Sequence, residues 1–274
     1  MTEPLIAAAA VLDRLRAVRP MVHHITNEVV MNDTANITLH IGAAPVMAMA
    51  LEEAAEMVRH AGALVLNIGT LLPERVAAML AAGREANARG IPVVLDPVGV
   101  GATAYRTDTA ARLLGELAFA VIRGNAGEIA VLAGAGGEVR GVDSVSGGDD
   151  PAAAAAALAA RTGAVVAMTG PVDVVTDGAR VWRVANGHPL MGAITGTGCM
   201  STALVASCAA VEPDPVVAAS AALAGFGIAG EVAAVEARGP GSFKVALFDA
   251  VAALRGADVV QRGRVSVGGD GGAG

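Results

Sequence analysis

The segment "IPVVLDPVG", residues 91–99, decides the fold class because it is an uninterrupted apolar run that ends in Asp96-Pro97. Its β-branched residues, flanked by turn formers, predict a strand. An apolar run without polar alternation is typical of a strand covered on both faces, as in a parallel sheet. Asp96 then lies at the carboxyl end of this strand, where open parallel sheets bind their ligands.

The same pattern recurs along the chain, with helical segments between the apolar runs. The other predicted strands are "ALVLNIG" (63–69), "FAVIRGN" (119–125) and "AVVAMTG" (164–170). Helices are predicted at 73–90, which begins with proline and ends with glycine, and at 151–162, with Asp150 as N-cap and Gly163 as C-cap. Asp177-Gly178 lies between two β-rich runs and predicts a hairpin.

This alternation predicts an α/β fold with a mostly parallel central sheet and helices on both faces. No internal repeat and no linker interrupts it. Residues 1–262 are therefore interpreted as one domain, and the glycine-rich residues 263–274 as a disordered tail.

Composition and charge exclude several classes of protein. The net charge is −7 and no basic cluster occurs, which argues against a nucleic-acid partner. Residues 184–211 are uncharged, but Asn186, His188 and Pro189 interrupt them, so no membrane span is expected there. The two cysteines and the absence of a basic N-terminal region predict a cytoplasmic protein without a disulfide framework.

Polar residues follow the predicted strands, and their chemistry suits phosphate and a hard cation. Asp96 and Glu128 are candidates to hold Mg²⁺ through water, since that ion takes one or two carboxylates and keeps several waters. Arg123 is a candidate to face phosphate. The alternative is that each of these residues only caps a neighbouring helix.

A glycine-rich loop, "TGTGC" at residues 195–199, precedes an apolar helical segment. Glycines allow backbone N–H groups to turn towards a ligand, and a helix N-terminus favours negative charge. Such a loop can stabilise charge on a transferring phosphoryl group. A turn needed only for tight packing is the alternative. No GxxxxGK[ST] motif is present, so arginine and backbone amides would have to bind any phosphate.

Cys199 is the first residue after these glycines, and Cys208 is expected in the core. A thiol at a helix N-terminus is expected to have a lowered pKa. Cys199 would then accept a proton from a substrate hydroxyl or form a covalent intermediate. The alternative is a small side chain that fills a tight site.

The N-terminal segment at residues 22–48 is dense in Asn, His and Thr beside apolar residues. Its polar groups are candidates to line a pocket, with Met47 as an adaptable apolar wall. His23, His24 and His40 lack the spacing of metal ligands, so no zinc site is expected.

Together, these stretches resemble the hydroxyethylthiazole kinase family of thiamine salvage, within the ribokinase-like superfamily. The resemblance runs from about Val22 to Asp249, and its specificity lies in the order and spacing of the motifs. The motifs are "VHHITNEVVMNDTAN", "GAAPVMA", "ALVLNIGTL", "LDPVGVGAT", "IRGNAGEI", "MTGPVDVVTDG", "GHPLMGAITGTGC" and "GPGSFKVALFDA".

The resemblance implies ATP-dependent phosphorylation of 5-(2-hydroxyethyl)-4-methylthiazole, with Mg²⁺ as the metal. It implies a homotrimer with active sites between subunits. Cys199 occupies the position where most ribokinase-like enzymes carry an aspartate base, and Gly198 precedes it in the catalytic loop. The other implied roles are ATP contact for Arg123 and Thr169, metal binding for Asp96, Asn125 and Glu128, and thiazole contact for Met47, Gly196 and Asn27.

Two positions depart from the family pattern. Gly192-Ala193 stands where a basic residue is common, and His24 stands where a cysteine is common. The alternative functions are a pyrimidine or pyridoxal-type kinase, and a lyase of the same scaffold that dehydrates a hydrated nicotinamide. Both are expected to carry aspartate in place of Cys199. A non-catalytic binding protein would not need Asp96, Asn125 and Glu128 together.

Overall fold

Strands and helices alternate along the chain in this computed structural model, which describes residues 2–134 and 151–268. The strands are β1 (Met21–Ile25), β2 (Ala44–Val46), β3 (Ala63–Asn67), β4 (Val93–Asp96), β5 (Val121–Asn125), β6 (Val165–Thr169), β7 (Asp173–Thr176), β8 (Val181–Val184) and β9 (Val265–Val267). The helices are α1 (Glu3–Val18), α2 (Met31–Ile41), α3 (Leu51–Val58), α4 (Pro73–Ala88), α5 (Ala104–Glu116), α6 (Ala126–Ala133), α7 (Pro151–Thr162), α8 (Thr197–Ala209), α9 (Pro215–Glu236), α10 (Pro240–Ala253) and α11 (Gly256–Arg262), with a 3₁₀ helix at Pro189–Ala193.

Within the described ranges, the strands form one nine-stranded sheet in the order β2-β1-β3-β4-β5-β6-β7-β8-β9. The pairs from β2 to β6 along this order are parallel, and the pairs from β6 to β9 are antiparallel. The predicted hairpin is confirmed, because β7 and β8 pair antiparallel around Gly178, whose φ is +94°. The prediction of a mostly parallel sheet is confirmed as well.

Both faces of the sheet are covered by helices. Leu64 and Leu66 of β3 point into one apolar core, and Val65 between them points into the other. Side chains alternate between the faces of a strand, so two covered faces require an apolar residue at every position. This requirement explains the uninterrupted apolar runs in the sequence.

The helix boundaries follow the expected local signals. Gly163 ends α7 with φ +71°, and its N–H donates to Ala159 O at 2.8 Å. Asp150, the expected N-cap of α7, lies outside the described residues. Helix α9 is the one helix in the described ranges that is long and apolar enough to cross a membrane, but 83% of its apolar window is buried. It is therefore a core helix of this fold.

Three strands differ from the sequence-based expectation. Strand β1 contains the buried His23 and His24, which obscure its apolar pattern, and β2 has only three residues. Strand β9 corrects the boundary of the predicted tail at residues 263–274. Val265 pairs with Val184 at the edge of the sheet, so ordered structure continues beyond residue 262. Residues 269–274 lie outside the described part of the chain.

Candidate active site

The candidate residues at the strand ends lie along one edge of the sheet. Because β2, β1, β3, β4, β5 and β6 are parallel neighbours, their carboxyl ends all meet at this edge. From one side to the other, the residues at or just after these ends are Met47, Asn27, Asn67, Asp96, Asn125 and Thr169. The ends of neighbouring strands therefore lie close together, and Met47 and Thr169 lie at opposite sides.

Helix α8 begins at this edge, and a glycine makes its N-terminus possible. Gly196 is the N-cap with φ +91°, a conformation that L side chains rarely adopt. A Cβ at Gly196 would also lie 2.8 Å from Val30 Cγ1. A left-handed backbone and a close approach to Val30 thus both require glycine at this position, which agrees with the alternative of a turn needed for tight packing.

Two cavities open at the edge and meet at α8. The larger cavity, about 610 Å³, lies between the turn after β6, the segment around the 3₁₀ helix, and α9. The smaller cavity, about 400 Å³, lies over the ends of β1, β3 and β4. Arg123 and Gly198 line both. Of the other candidates, Thr169 lines the larger cavity, and Asn27, Asp96, Asn125, Glu128, Gly196 and Cys199 line the smaller one.

Met47 is placed apart from this group. It follows β2, the edge strand whose Val46 pairs with His23 of β1, and it is half-buried. Met47 lines neither of these two cavities. The structure of one chain thus does not bring Met47 into contact with the smaller cavity.

Asp96 is fully buried, and its two carboxylate oxygens have different surroundings. Oδ2 accepts hydrogen bonds from Asn67 Nδ2 at 2.6 Å and from Thr202 Oγ1 at 2.9 Å. Oδ1 has no hydrogen-bond partner within residues 2–134 and 151–268. Burial raises the pKa of Asp96 to about 6, against the opposing effect of Arg123, and the nearby Glu128 raises it further.

Arg123 lies between the two cavities, on β5. Its Nη2 donates to Thr169 Oγ1 at 2.7 Å, and its Nη1 lies 3.9 Å from Asp96 Oδ1. A Cβ at Gly198 would lie 2.7 Å from the same Nη1, so a side chain there would displace the guanidinium. Arg123 and the N-terminus of α8 therefore place positive charge at the junction of the cavities.

Glu128 and Asn125 form a capping box at the start of α6. Asn125 Oδ1 accepts from Glu128 N, and Glu128 Oε2 accepts from Asn125 N, each at 2.9 Å. Glu128 Oε1 accepts from Gly99 N at 2.9 Å. The alternative of helix capping therefore applies to Asn125 and Glu128. It also fixes the Glu128 carboxylate on the wall of the smaller cavity, where each oxygen keeps a free lone pair.

The donors beside the smaller cavity bear on the metal hypothesis. No cluster of three or more His, Cys, Asp or Glu side chains occurs in the described part of the chain, so an all-protein cage is absent there. Asp96 Oδ1 is a buried oxygen without a hydrogen bond among the described residues, and Glu128 lines the same cavity. Two carboxylates beside a cavity that admits water and phosphate fit Mg²⁺, which is usually held by one or two carboxylates plus waters and phosphate oxygens.

The environment of Cys199 reverses the expectation for its thiol. Burial, and next the charge of Asp96, raise the pKa of Cys199 to about 12, and hydrogen bonds from Asn67 and Asn27 oppose this only in part. The lowered pKa predicted from the helix N-terminus is therefore wrong. At neutral pH, Cys199 is a neutral thiol, which is a poor proton acceptor.

Sequence reasoning missed the roles of three residues. Asn67 was visible as a strand end, but nothing local showed that its amide contacts Asp96 and Cys199. Thr202 follows Cys199 by three residues, so helical periodicity places both on one face of α8. Asp173 lines the larger cavity, accepts from Gly170 N at 3.0 Å, and has a pKa raised to about 6 by burial.

The N-terminal segment contributes to the smaller cavity through Asn27 rather than through its histidines. His24 is fully buried, and burial lowers its pKa to about 3, so the ring is neutral. Its Nε2 lies 3.3 Å from Thr38 Oγ1. His23 Nε2 lies 2.7 Å from Ala48 O. Both histidines thus belong to the protein interior.

The sequence of this chain is similar to those of several known proteins. Residues 12–256 match the model of the hydroxyethylthiazole kinase family. The chain belongs to the hydroxyethylthiazole kinase family. A hydroxyethylthiazole kinase from Desulforudis audaxviator is 62% identical over 265 residues, which cover 97% of each chain. A hydroxyethylthiazole kinase from Methanoculleus marisnigri is 59% identical over 94% of this chain and 92% of its own length.

Solved structures agree with the family assignment. The hydroxyethylthiazole kinase protein from Pyrococcus horikoshii OT3 superposes with a TM-score of 0.87 at 44% identity, over 95% of this chain and 98% of its own. A Bacillus subtilis pyridoxal kinase superposes with a TM-score of 0.56 at 18% identity, over 77% of this chain and 91% of its own, which shows a shared fold alone. The ribokinase-like fold, the kinase activity and the family predicted from sequence are confirmed.

Membership of the hydroxyethylthiazole kinase family makes the chain a kinase with an alcohol acceptor. A kinase of this family takes a small-molecule acceptor and uses ATP as co-substrate. The alternatives of a pyridoxal-type kinase, a lyase and a non-catalytic binding protein are replaced by this assignment.

Proposed function

We propose that this protein transfers the γ-phosphoryl group of ATP to the hydroxyl of 5-(2-hydroxyethyl)-4-methylthiazole, as a step of thiamine salvage. The observation that carries the proposal is the junction of two cavities at Arg123 and Gly198. A phosphoryl transfer needs donor and acceptor in line, and two cavities that share one wall allow that arrangement.

The larger cavity suits the nucleotide. Thr169 and Arg123 are joined by a 2.7 Å hydrogen bond at the end that meets α8, and Leu223 and Phe226 provide an apolar wall elsewhere. A guanidinium and a helix N-terminus bind phosphate oxygens, and an apolar wall suits a flat base. Both groups also stabilise the negative charge that the transferring phosphoryl group carries.

The smaller cavity suits the acceptor alcohol. Gly196 and Asn27 would contact the thiazole, and Cys199 would lie beside its hydroxyl. In a loose transition state the alcohol loses its proton late, so catalysis depends mostly on positioning and charge stabilisation. A neutral thiol is compatible with that role. We therefore assign Cys199 to positioning the acceptor, with the amides around Gly198 stabilising charge.

Asp96 and Glu128 would hold Mg²⁺ with its waters, and Asn125 would support Glu128 through the capping box. The observation in favour of this assignment is that Asp96 Oδ1 is buried and has no hydrogen-bond partner among the described residues. When bound, the ion would neutralise charge on the phosphate oxygens of ATP. Around it, Asn67 and Thr202 hold the Asp96 carboxylate, and the capping box holds the Glu128 carboxylate.

A homotrimer with active sites between subunits accounts for the position of Met47. Met47 lies outside the smaller cavity of its own chain, so its thiazole contact requires the cavity of a neighbouring chain. Val29 lines the smaller cavity and is 64% exposed, so this cavity reaches the protein surface where a neighbour would pack. The proposed location is the cytoplasm, in line with two free cysteines, and no nucleic acid or membrane partner is proposed.

The test is a phosphorylation assay with purified protein, Mg-ATP and three acceptors: the thiazole alcohol, hydroxymethylpyrimidine and pyridoxal. Transfer to the thiazole alone is expected. Transfer to pyridoxal or the pyrimidine in preference would overturn the acceptor assignment. Asp96→Ala and Glu128→Ala should each abolish turnover in a protein that remains folded by circular dichroism, and full activity in either variant would contradict the metal assignment.

A further inference from the structure

A chain of buried amides connects the smaller cavity to the Asp96 carboxylate. Asn27 Oδ1 accepts from Val29 N at 3.1 Å, and Asn27 Nδ2 donates to Asn67 Oδ1 at 2.9 Å. Gly69 N donates to the same Asn67 Oδ1 at 2.9 Å. A backbone N–H only donates, so both amides have a single orientation. Asn67 Nδ2 therefore faces Asp96 as a donor.

This arrangement makes the two oxygens of Asp96 unequal. Oδ2 receives two side-chain donors, from Asn67 at 2.6 Å and from Thr202 at 2.9 Å. The donors come from different elements, the end of β3 and the second turn of α8, so the carboxylate is held from two directions. Rotation of the carboxylate would break both bonds. Oδ1 has no hydrogen-bond partner among the described residues and faces the Arg123 guanidinium at 3.9 Å, so it is the oxygen left to a ligand.

Asn67 also lies between Asp96 and Cys199 and contacts both. Its Nδ2 lies 3.2 Å from Cys199 Sγ, and Asn27 Nδ2 lies 3.5 Å from the same sulfur. One amide group therefore contacts a metal-side carboxylate and an acceptor-side thiol at once. Asn67 is 1% exposed. Its Oδ1 accepts from Asn27 and Gly69, and its Nδ2 donates to Asp96 and Cys199.

We propose that Asn67 and Thr202 are positioning residues for phosphoryl transfer, which hold the Asp96 carboxylate so that only Oδ1 is presented to the metal–nucleotide complex. This inference rests on the proposed function. It goes beyond it by assigning Mg²⁺-dependent nucleotide affinity to two residues that touch neither nucleotide nor acceptor. Partners that orient ligand side chains typically change metal affinity by about 10–100-fold when removed.

The experiment compares Thr202→Val with Ser207→Ala. Thr202→Val is isosteric and removes one donor to Asp96. Ser207 is a matched control because it is a buried hydroxyl on the same helix α8, where it donates to Ala203 O at 2.8 Å and lines neither cavity. Calorimetric titration with adenylyl imidodiphosphate, once with MgCl₂ and once with EDTA, gives the Mg²⁺-dependent gain in nucleotide affinity for each protein.

In Thr202→Val, the Mg²⁺-dependent gain should fall by about tenfold, while affinity in EDTA stays at the wild-type level. Its kcat should fall by a similar factor with KM for the thiazole unchanged. Ser207→Ala should match wild type in both titrations. Asn67→Ala should show a larger loss of the Mg²⁺-dependent gain than Thr202→Val. It removes the other donor to Asp96 and also the contact with Cys199.

The outcomes separate the two levels of the proposal. Equal Mg²⁺-dependent gains in Thr202→Val, Ser207→Ala and wild type would overturn the positioning role while leaving the proposed function intact. Loss of affinity in EDTA as well would also overturn it, since a general structural defect weakens nucleotide binding with or without metal. A wild-type protein without any Mg²⁺-dependent gain would remove the metal assignment itself and the positioning role with it.

Discussion

Asp96 is fully buried, and the metal-binding role proposed for it needs negative charge. Burial raises its pKa to about 6, and the neighbouring Glu128 acts in the same direction. Arg123, at 3.9 Å, offsets only part of this cost. The residue is therefore a local source of instability in the metal-free protein, which a bound cation would relieve.

Asp96→Asn should stabilise the metal-free protein and abolish its activity. The folded pKa near 6 exceeds the ordinary value of 3.8, so the folded state retains a proton that the unfolded state has lost. The stability that this proton provides is complete below about pH 3.8 and is lost as pH rises through about 6. At neutral pH the variant should gain up to about 3 kcal/mol in free energy of unfolding, from a shift of about two pKa units.

Urea denaturation in EDTA across this pH range measures the effect. The two proteins should differ most at neutral pH and converge in acid. A wild-type protein that equals the variant in stability at neutral pH would show that Asp96 carries no penalty for ionisation. The Asn variant keeps an oxygen for the donors of Asn67 and Thr202, so the comparison isolates charge from hydrogen bonding.

At the scale of elements, helix α8 has glycines at two close contacts near its N-terminus. Gly196 adopts φ +91° beside Val30, and Gly198 passes the Arg123 guanidinium. Together they bring the first N–H groups of α8 to the junction of the cavities. The helix is otherwise almost entirely buried, so it has little freedom to shift if one of these contacts is enlarged.

Gly196→Ala should destabilise the protein by about 1–3 kcal/mol, because the side chain meets both a left-handed backbone and Val30 Cγ1 at 2.8 Å. Its kcat should fall strongly, since the amides of α8 move. Gly115→Ala is the control: Gly115 is exposed within α5 with open space around it, so the same change should stabilise by about 0.5–1 kcal/mol without altering activity. Thermal unfolding measures the change in stability, and steady-state kinetics measure the change in kcat. Wild-type kcat in Gly196→Ala would contradict this role of the loop.

Much of the element order could be predicted because strands buried on both faces leave uninterrupted apolar runs. The ends of β3, β4, β5 and β6 were visible in this way, and with them the positions of Asp96 and Thr169. Strands β2 and β9 have three residues each at or near the sheet edges, which is too short for a pattern. Local sequence gives only weak signals for such strands, since their pairing depends on long-range contacts.

The electrostatics of the candidate site could not be predicted from local sequence. A helix N-terminus lowers the pKa of an accessible thiol, but Cys199 is buried beside Asp96, and burial has the larger effect. Likewise, the hydrogen bonds of Asn67 join residues far apart in the chain, so they exist only once β1, β3, β4 and α8 have packed.

At the scale of the whole molecule, helices α2 and α10 pack together and expose apolar side chains. His40 of α2 and Phe248 of α10 meet edge to face, with ring centroids 5.3 Å apart. Leu39 is 53% exposed and Val245 is 64% exposed on the same two helices. Because Val29, just before α2, lines the smaller cavity, this surface lies next to the proposed acceptor site. It is the surface where we expect neighbouring subunits to pack.

Val245→Glu should therefore dissociate the proposed trimer and raise KM for the thiazole, while Mg-ATP still binds. Val235→Glu is the control, since Val235 is 87% exposed on α9, away from the smaller cavity. Light scattering after size exclusion should give three times 27.0 kDa for wild type and control, and a smaller mass for Val245→Glu. An unchanged mass for Val245→Glu would place the interface elsewhere, and a 27.0 kDa wild-type particle would refute the trimer.

The order of strands along the sheet edge has a consequence for how such an enzyme diversifies. Met47 and Asn27 follow strands at one side, and Thr169 follows a strand at the other, with Asp96 between them. Substitutions near β1 and β2 can therefore reshape what is accepted without disturbing the strands nearest Arg123. A lineage could acquire a new acceptor alcohol gradually, through variants that all remain able to use the same nucleotide.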